Sequence, residues 1–141
     1  MRDAIVAAAR RWLGTPYHHQ GRLVGVGVDC LGLISEVGRE LGILDYDATD
    51  YVAMPDGKMM EATCREYLVE QPIDTTPRPG DIVLMWISLR RLPQHLAIFV
   101  PWDQRIGIIH AHQRFDDVKA HSYDDYWIKR TVRIFSYPGV Q

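Results

Sequence analysis

Residues 76–87, TPRPGDIVLMWI, divide the chain into a part that is typical of helices and a part that is typical of strands. The first half of this stretch is rich in proline and glycine, which favour a turn. The second half, IVLMWI, is a short run of branched and aromatic residues that predicts a buried strand. Three further strands are predicted after it: HLAIFV at 95–100, RIGIIHAH at 105–112 and TVRIFSY at 131–137.

The residues before this stretch show helical spacing. Apolar residues in 2–13 recur at the helical period, and the helix-breaking GTP at 14–16 ends the run. A glycine-rich loop leads to a second helix that begins near Asp29 and ends near Gly42, and residues 58–70 predict a third. Because the helices come first and the strands second, we predict an α+β fold with N-terminal helices packed on a central antiparallel sheet.

Size and charge limit the class of protein. The 141 residues, of which 47% are hydrophobic, predict a single domain over 1–141. A formal net charge of -2 without any run of Lys or Arg indicates neither nucleic acid nor an anionic membrane surface as a partner. No stretch approaches the roughly 20 apolar residues of a membrane span, so we expect no membrane insertion.

The N-terminal residues do not predict a signal peptide. Their short apolar stretch follows Asp3 and precedes Arg10 and Arg11, and it is too brief for a signal-peptide core. We therefore expect synthesis in the cytoplasm without a signal peptide. If the protein acts elsewhere, another component must carry it there.

Cys30, in GVGVDCLGLI at 25–34, is the candidate nucleophile. The unpaired amides at a helix N-terminus favour a thiolate, Asp29 can cap the helix, and Gly32 lets another backbone or a substrate approach closely. The alternative is a buried apolar cysteine, since free cysteines are among the most buried residues. We prefer that alternative for Cys64, the only other cysteine, which lies on the predicted third helix.

A reactive cysteine needs a base, and two histidines are predicted on neighbouring strands. If Val100 pairs with Arg105, His95 stands opposite His110 on one face of the sheet, with Cβ atoms about 4.5–5.5 Å apart. A slip of two residues would oppose His95 to His112 instead. We favour the first register because the slipped turn lacks the Asn-Gly or Asp-Gly sequence of a two-residue hairpin.

Two adjacent imidazoles suit a base and a residue that orients it. Cys30 with His95, His110 and His112 could also supply zinc ligands, but no local C-x-x-C or H-E-x-x-H spacing places two ligands on one element. We therefore expect no metal and no cofactor. His18 and His19 are interpreted as exposed loop residues, and the acidic region 116–125 as a solvated loop.

Five ordered motifs, WLGTPY, DCLGL, RPGDIVL, HLAIFV and IIHA, resemble the NlpC-type cell-wall cysteine peptidases, a compact papain-like family. The likeness is closest to the branch found in phage and gene-transfer-agent tail clusters. That branch shares a C-terminal pattern, which here comprises Tyr126, Trp127, Arg130, Phe135, Tyr137 and Pro138.

The resemblance implies a papain-like fold in which Cys30 is the nucleophile, His95 the general base and His110 the orienting residue. It also implies that Tyr17 and the Cys30 amide stabilise the oxyanion, and that Asp29 receives the free amine of a stem peptide. The implied reaction is hydrolysis of a peptidoglycan peptide bond between D-glutamate and a diamino acid, through an acyl-enzyme.

Three differences from the family pattern qualify this expectation. Leu31 stands in the substrate-binding region where many members have serine. The interval from His95 to the histidine of IIHA is longer than usual, consistent with a longer turn around PWDQ, and this leaves His112 as an alternative orienting residue. We also expect no appended cell-wall-binding module, and we expect tail hub or baseplate proteins of a phage-tail-like particle to bring the protein to the cell wall or periplasm. The alternatives are a catalytically silent tail component with the same fold and an acyl or amide transferase.

Overall fold

The computed structural model describes residues 1–47 and 57–141. Four helices are present in these ranges: α1 (Arg2–Arg10), α2 (Cys30–Glu40), α3 (Gly57–Tyr67) and α4 (Asp125–Ile128). The strands of the same ranges are β1 (Arg22–Leu23), β2 (Gly27–Val28), β3 (Val69–Gln71), β4 (Ile82–Trp86), β5 (Pro93–Trp102), β6 (Arg105–His110), β7 (Lys119–Ser122) and β8 (Thr131–Ser136).

Six of the strands form one sheet in the order β3-β8-β4-β5-β6-β7, and every neighbouring pair is antiparallel. The short strands β1 and β2 pair with each other in the loop before α2. The prediction of helices followed by an antiparallel sheet is therefore confirmed.

The helices α1, α2 and α3 all contact β5, near the middle of the sheet. Alternation along the strands places one set of buried residues against these helices and a second set on the opposite face. The larger core includes Ile5, Leu33, Ile34, Val37, Leu84, Leu96, Ile98 and Ile109. The smaller core includes Val83, Met85, Ala97, Phe99 and Ile108, with Tyr123 and Trp127 packed against it.

The clearest differences from the sequence-based prediction lie in three segments. Helix α1 ends at Arg10, and the following residues form a turn. Residues 69–71, predicted as the end of the third helix, form β3, because pairing with β8 satisfies their backbone groups at the sheet edge. Part of the region 116–125, predicted as a solvated loop, forms β7 and pairs with β6.

The favoured register of the β5–β6 hairpin is wrong. Trp102 pairs with Arg105 and Ile98 with Ile109, which is the slipped register. Asp103 and Gln104 form the two-residue turn with φ values of 44° and 64°. Positive φ at both positions is the type I′ geometry, whose twist matches that of the flanking strands. The structure adopts this turn although glutamine occupies the position where glycine is usual.

No helix among residues 1–47 and 57–141 is long and apolar enough to cross a membrane.

Candidate active site

Cys30 is the first residue of α2, and Asp29 caps the helix as predicted. Asp29 Oδ1 accepts from the Gly32 N–H at 2.8 Å, which satisfies one of the free amides of the first turn. The same carboxylate accepts from Arg22 Nη1 at 3.1 Å and from the Gln20 N–H at 2.8 Å. Asp29 is 3% exposed, so these contacts hold a buried charge at the start of the helix.

Gly32 is required for the close approach of the preceding loop. A Cβ atom at this position would lie 2.6 Å from Arg22 Nη1 and 2.6 Å from the carbonyl oxygen of Gly21. The close neighbour that the sequence suggested at Gly32 is therefore the protein's own loop, which packs against the first turn of α2.

The predicted nucleophile and base line one small cavity of about 40 Å³, together with Tyr17 and His112. Leu31, predicted to contact substrate, lines a second pocket that it shares with Cys64 and other mainly apolar residues of α2 and α3. His110 is fully buried behind His95. The structure thus brings Cys30, Tyr17, His95 and His112 to one cavity.

Three histidines on three adjacent strands form a hydrogen-bonded chain. His95 Nε2 and His110 Nδ1 are 2.7 Å apart, and His110 Nε2 and His121 Nε2 are also 2.7 Å apart. His121 Nδ1 lies 2.9 Å from the carbonyl oxygen of Ser122. The chain therefore runs from the cavity across three adjacent strands to a backbone carbonyl group.

His95 meets His110 even though the predicted register is wrong. In the observed register the two residues are diagonal neighbours on one face, within reach of a ring side chain. His112 contacts His95 differently, edge to face with ring centroids 5.0 Å apart, and its Nδ1 accepts from the Arg114 N–H at 3.0 Å. The hydrogen-bonding partner of His95 Nε2 is thus His110.

The titratable groups of the site are shifted toward their neutral forms. Burial lowers the pKa of His95 well below its usual value, and the neighbouring histidines add to the effect. Burial, followed by His121 and His112, lowers the pKa of His110 to about 3. The resting site therefore holds neutral imidazoles at neutral pH.

Cys30 also rests in its neutral form. Burial of the sulfur, followed by the charge of Asp29, raises the thiol pKa to about 12. The backbone N–H groups of Leu96, Leu31 and Cys30 lower it, but their effect is smaller. The amides at the helix N-terminus thus favour the thiolate, but desolvation and the nearby carboxylate of Asp29 have the larger effect on the thiol pKa.

Tyr17 stays a hydrogen-bond donor beside the thiol. Its backbone bridges β2 through Val28, and its N–H donates to the carbonyl oxygen of Asp116 at 3.0 Å. Burial raises the pKa of the phenol to about 12, and negative charge on Cys30, when it is ionised, and on Asp29 adds to this shift. The hydroxyl group is thus protonated over the whole physiological range.

Within residues 1–47 and 57–141, no group of three or more His, Cys, Asp or Glu side chains is arranged to hold a metal ion. The histidine rings are hydrogen-bonded to one another, so their nitrogens do not converge on a common point.

The amino-acid sequence does not single out His121 as a member of the site. It was one of six histidines, and it lies in KAHS, between acidic residues that predicted a solvated loop. The available signal was the alternation of KAHS, because a strand paired with β6 would place His121 on the same face as His110. The alternation is informative only once the segment has been recognised as a strand that pairs with β6.

Known structures share this fold. A lipoprotein-like NLP/P60 protein from Staphylococcus aureus subsp. aureus Mu50 matches 99% of this chain at 17% identity with a TM-score of 0.65, and this chain spans 42% of its length. The NlpC/p60 domain of the peptidoglycan hydrolase SagA matches 96% of this chain and 98% of its own length, at 24% identity with a TM-score of 0.60.

An NlpC/P60 protein from Bacillus cereus ATCC 10987 matches 97% of the chain at 17% identity with a TM-score of 0.68, and the chain spans 40% of that protein. These likenesses confirm the predicted papain-like fold. No protein with a curated function is similar enough in sequence to count as a relative. The NlpC/P60 family profile matches residues 14–136, which include the helix of Cys30 and all three linked histidines. This chain therefore belongs to the NlpC/P60 family.

Proposed function

We propose that the protein is a cysteine peptidase that hydrolyses peptide bonds in bacterial peptidoglycan stem peptides. The main support is that Cys30 and His95 line the same cavity, while His110, which does not line it, is hydrogen-bonded to His95. Family membership supports it, as does the fold likeness to the SagA domain, which is part of a peptidoglycan hydrolase.

In the proposed acylation step, the thiol transfers its proton to His95 as Cys30 Sγ attacks the scissile carbonyl carbon. Since His95 Nε2 is bonded to His110, Nδ1 is the nitrogen that receives this proton. The tetrahedral intermediate collapses when the C–N bond breaks and the His95 imidazolium donates the proton to the leaving amine. The products of this step are a thioester on Cys30 and a free amine.

In the proposed deacylation step, water attacks the thioester while His95 accepts a proton from it, and the acid is released with the thiol restored. The developing oxyanion lies at the helix N-terminus, where the Cys30 N–H and the Tyr17 hydroxyl group can donate to it. The raised pKa of Tyr17 supports this role, because only the protonated phenol is a donor.

The proposed scissile bond joins D-glutamate to a diamino acid. The Asp29 carboxylate already accepts hydrogen bonds from Gly32, Gln20 and Arg22. A stem-peptide amine that reached it would have to compete with these donors. We therefore propose that Asp29 acts on substrate mainly through the geometry of α2. Leu31 provides an apolar wall in its own pocket instead of the polar contact of a serine.

Mass spectrometry of muropeptides released from peptidoglycan tests the activity. We expect wild-type protein to release fragments with a new amino terminus on the diamino acid, and Cys30→Ala to release none. Cys64→Ala is the matched control, because Cys64 lies outside the proposed cavity, and its activity should be close to wild type. Undiminished cleavage by Cys30→Ala would overturn the proposal.

We further propose that the enzyme acts on the cell wall from a phage-tail-like particle, bound to a tail hub or baseplate protein. The C-terminal pattern that the chain shares with the phage-tail branch supports this context. Arg130 Cζ lies 3.5 Å from the ring centroid of Tyr126 and 4.7 Å from that of Trp86, so part of the pattern forms a surface cluster beside α4. Proteomics of purified particles should detect the protein in stoichiometric amount. Particles that contain the protein while the purified enzyme cleaves no peptidoglycan would favour the silent tail component.

A further inference from the structure

The direction of each hydrogen bond in the histidine chain follows from the position of the proton on His121, the last residue of the chain. His121 Nδ1 faces the carbonyl oxygen of Ser122, which can only accept, so Nδ1 carries the proton. In a neutral ring the other nitrogen is then an acceptor. His110 must therefore donate to His121 from its own Nε2.

The position of the proton on His110 in turn fixes the position of the proton on His95. With its proton on Nε2, His110 presents an unprotonated Nδ1, and His95 donates to it from Nε2. The Nδ1 of His95 is then left with a lone pair, which is the state that a base facing a neutral thiol requires. In the reversed arrangement, His95 would carry its proton on Nδ1 and could not accept one there.

We propose that His121 is a positioning residue for the peptidase reaction: it anchors the histidine chain on the Ser122 carbonyl group and thereby holds His95 in the tautomer that can accept the Cys30 proton. The inference rests on the proposed function of Cys30 and His95. It adds a fourth residue, on β7, to the three that the family resemblance implies.

The surroundings of His121 support this role. The ring of Trp127 packs against the rings of His121 and His110, with centroid distances of 5.1 Å and 5.0 Å. The centroid of the Phe115 ring lies 5.4 Å from that of His110. These aromatic contacts hold the two imidazoles side by side. They also cover the link between His110 and His121, where water would otherwise compete as a hydrogen-bond partner.

The test combines two variants with tautomer assignment by nitrogen-15 NMR of the histidine rings. In the wild type we expect His95 and His110 to carry their protons on Nε2. His121→Phe keeps the ring volume but removes the acceptor, so both rings should shift toward mixed tautomers and kcat should fall about tenfold or more with little change in KM. His121→Gln offers an oxygen acceptor and should recover most of the activity and the wild-type tautomers.

Lys119→Ala is the control, because this exposed side chain lies on the same strand and outside the histidine chain. Its tautomers and kcat should equal those of the wild type. A proton on His95 Nδ1 in the wild type, or full activity of His121→Phe, would overturn the inference. An inactive wild type would instead remove the proposed function, while the ring tautomers would still show whether His121 orders the chain.

Discussion

At the scale of single residues, the site pairs a neutral thiol with a neutral imidazole. Burial is the largest cause of both shifts, since it disfavours the charged form of Cys30 and of His95 alike. The proposed nucleophile is therefore formed during the attack, and the proton moves to His95 only when a substrate carbonyl is present. The proposed chemistry therefore depends on the geometry of the pair more than on a resting thiolate.

The lowered pKa of His95 predicts how activity depends on pH. A proton on His95 removes the base, and because the pKa is lowered, this loss occurs at a lower pH than for an ordinary histidine. We expect the acid limb of kcat/KM against pH to have its midpoint below 6.5. Circular dichroism at each pH controls for unfolding, and a midpoint at or above 6.5 with intact protein would contradict the prediction.

The raised pKa of Cys30 predicts slow alkylation that accelerates with pH. With a thiol pKa of about 12, the thiolate fraction should increase about tenfold per pH unit between pH 6 and 9. Iodoacetamide labelling of Cys64→Ala, followed by mass spectrometry, measures Cys30 by itself. A rate that levels off below pH 8 would show that a thiolate already exists in the resting site, as the sequence had suggested.

At the scale of elements, the β5–β6 hairpin determines which histidines meet. The slipped register puts His110 in diagonal contact with His95 and lets β7 pair with β6, which brings His121 to the other side of His110. The type I′ turn at Asp103 and Gln104 sets this register. The turn therefore controls the site although it lies at the far end of the hairpin.

A substitution in the turn tests the register. Gln104 has a φ of 64°, which is unfavourable for a residue with a Cβ atom, so Gln104→Gly should stabilise the protein by about 0.5–1 kcal/mol. The free energy of unfolding in urea measures the change. Arg105→Gly, one residue later and within β6, is the matched control and should destabilise. Destabilisation by Gln104→Gly would contradict the observed turn.

At the scale of the whole molecule, the protein buries titratable rings inside its sheet. His95 is 2% exposed and His110 is 0% exposed, and the rings of Phe115 and Trp127 pack against His110. In the unfolded chain these histidines take up protons near pH 6.5, whereas in the folded protein their pKa values are lower. Folding is therefore coupled to the loss of protons.

This coupling predicts acid destabilisation. The folded-state pKa values of His95 and His110 are lowered, so stability is full above pH 6.5 and decreases as the pH falls toward about 3. Each histidine contributes a slope of up to about 1.4 kcal/mol per pH unit. Urea unfolding at pH 7, 6, 5 and 4.5 should therefore give a smaller slope for His110→Asn than for the wild type. Equal slopes would contradict the prediction, whatever the absolute stabilities.

Features that depend on residues close together in the chain could be predicted from the amino-acid sequence. Helical periodicity, the Pro/Gly turn and strand alternation were enough for the α+β fold, and Asp29 before Cys30 was enough for the capped helix. His95 and His110 could be paired because both lie on strands of strong apolar character. These signals are local, so they survive without knowledge of the packing.

The hairpin register, the shifted pKa values of the site and the position of His121 beside His110 depend on contacts between distant parts of the chain. The register depends on a left-handed glutamine that the neighbouring strands hold in place. The resting charge of Cys30 depends on burial and on how Asp29 is enclosed, which the helix position does not show. His121 joins the site because β7 pairs with β6, and backbone pairing between distant segments leaves little trace in a short polar strand.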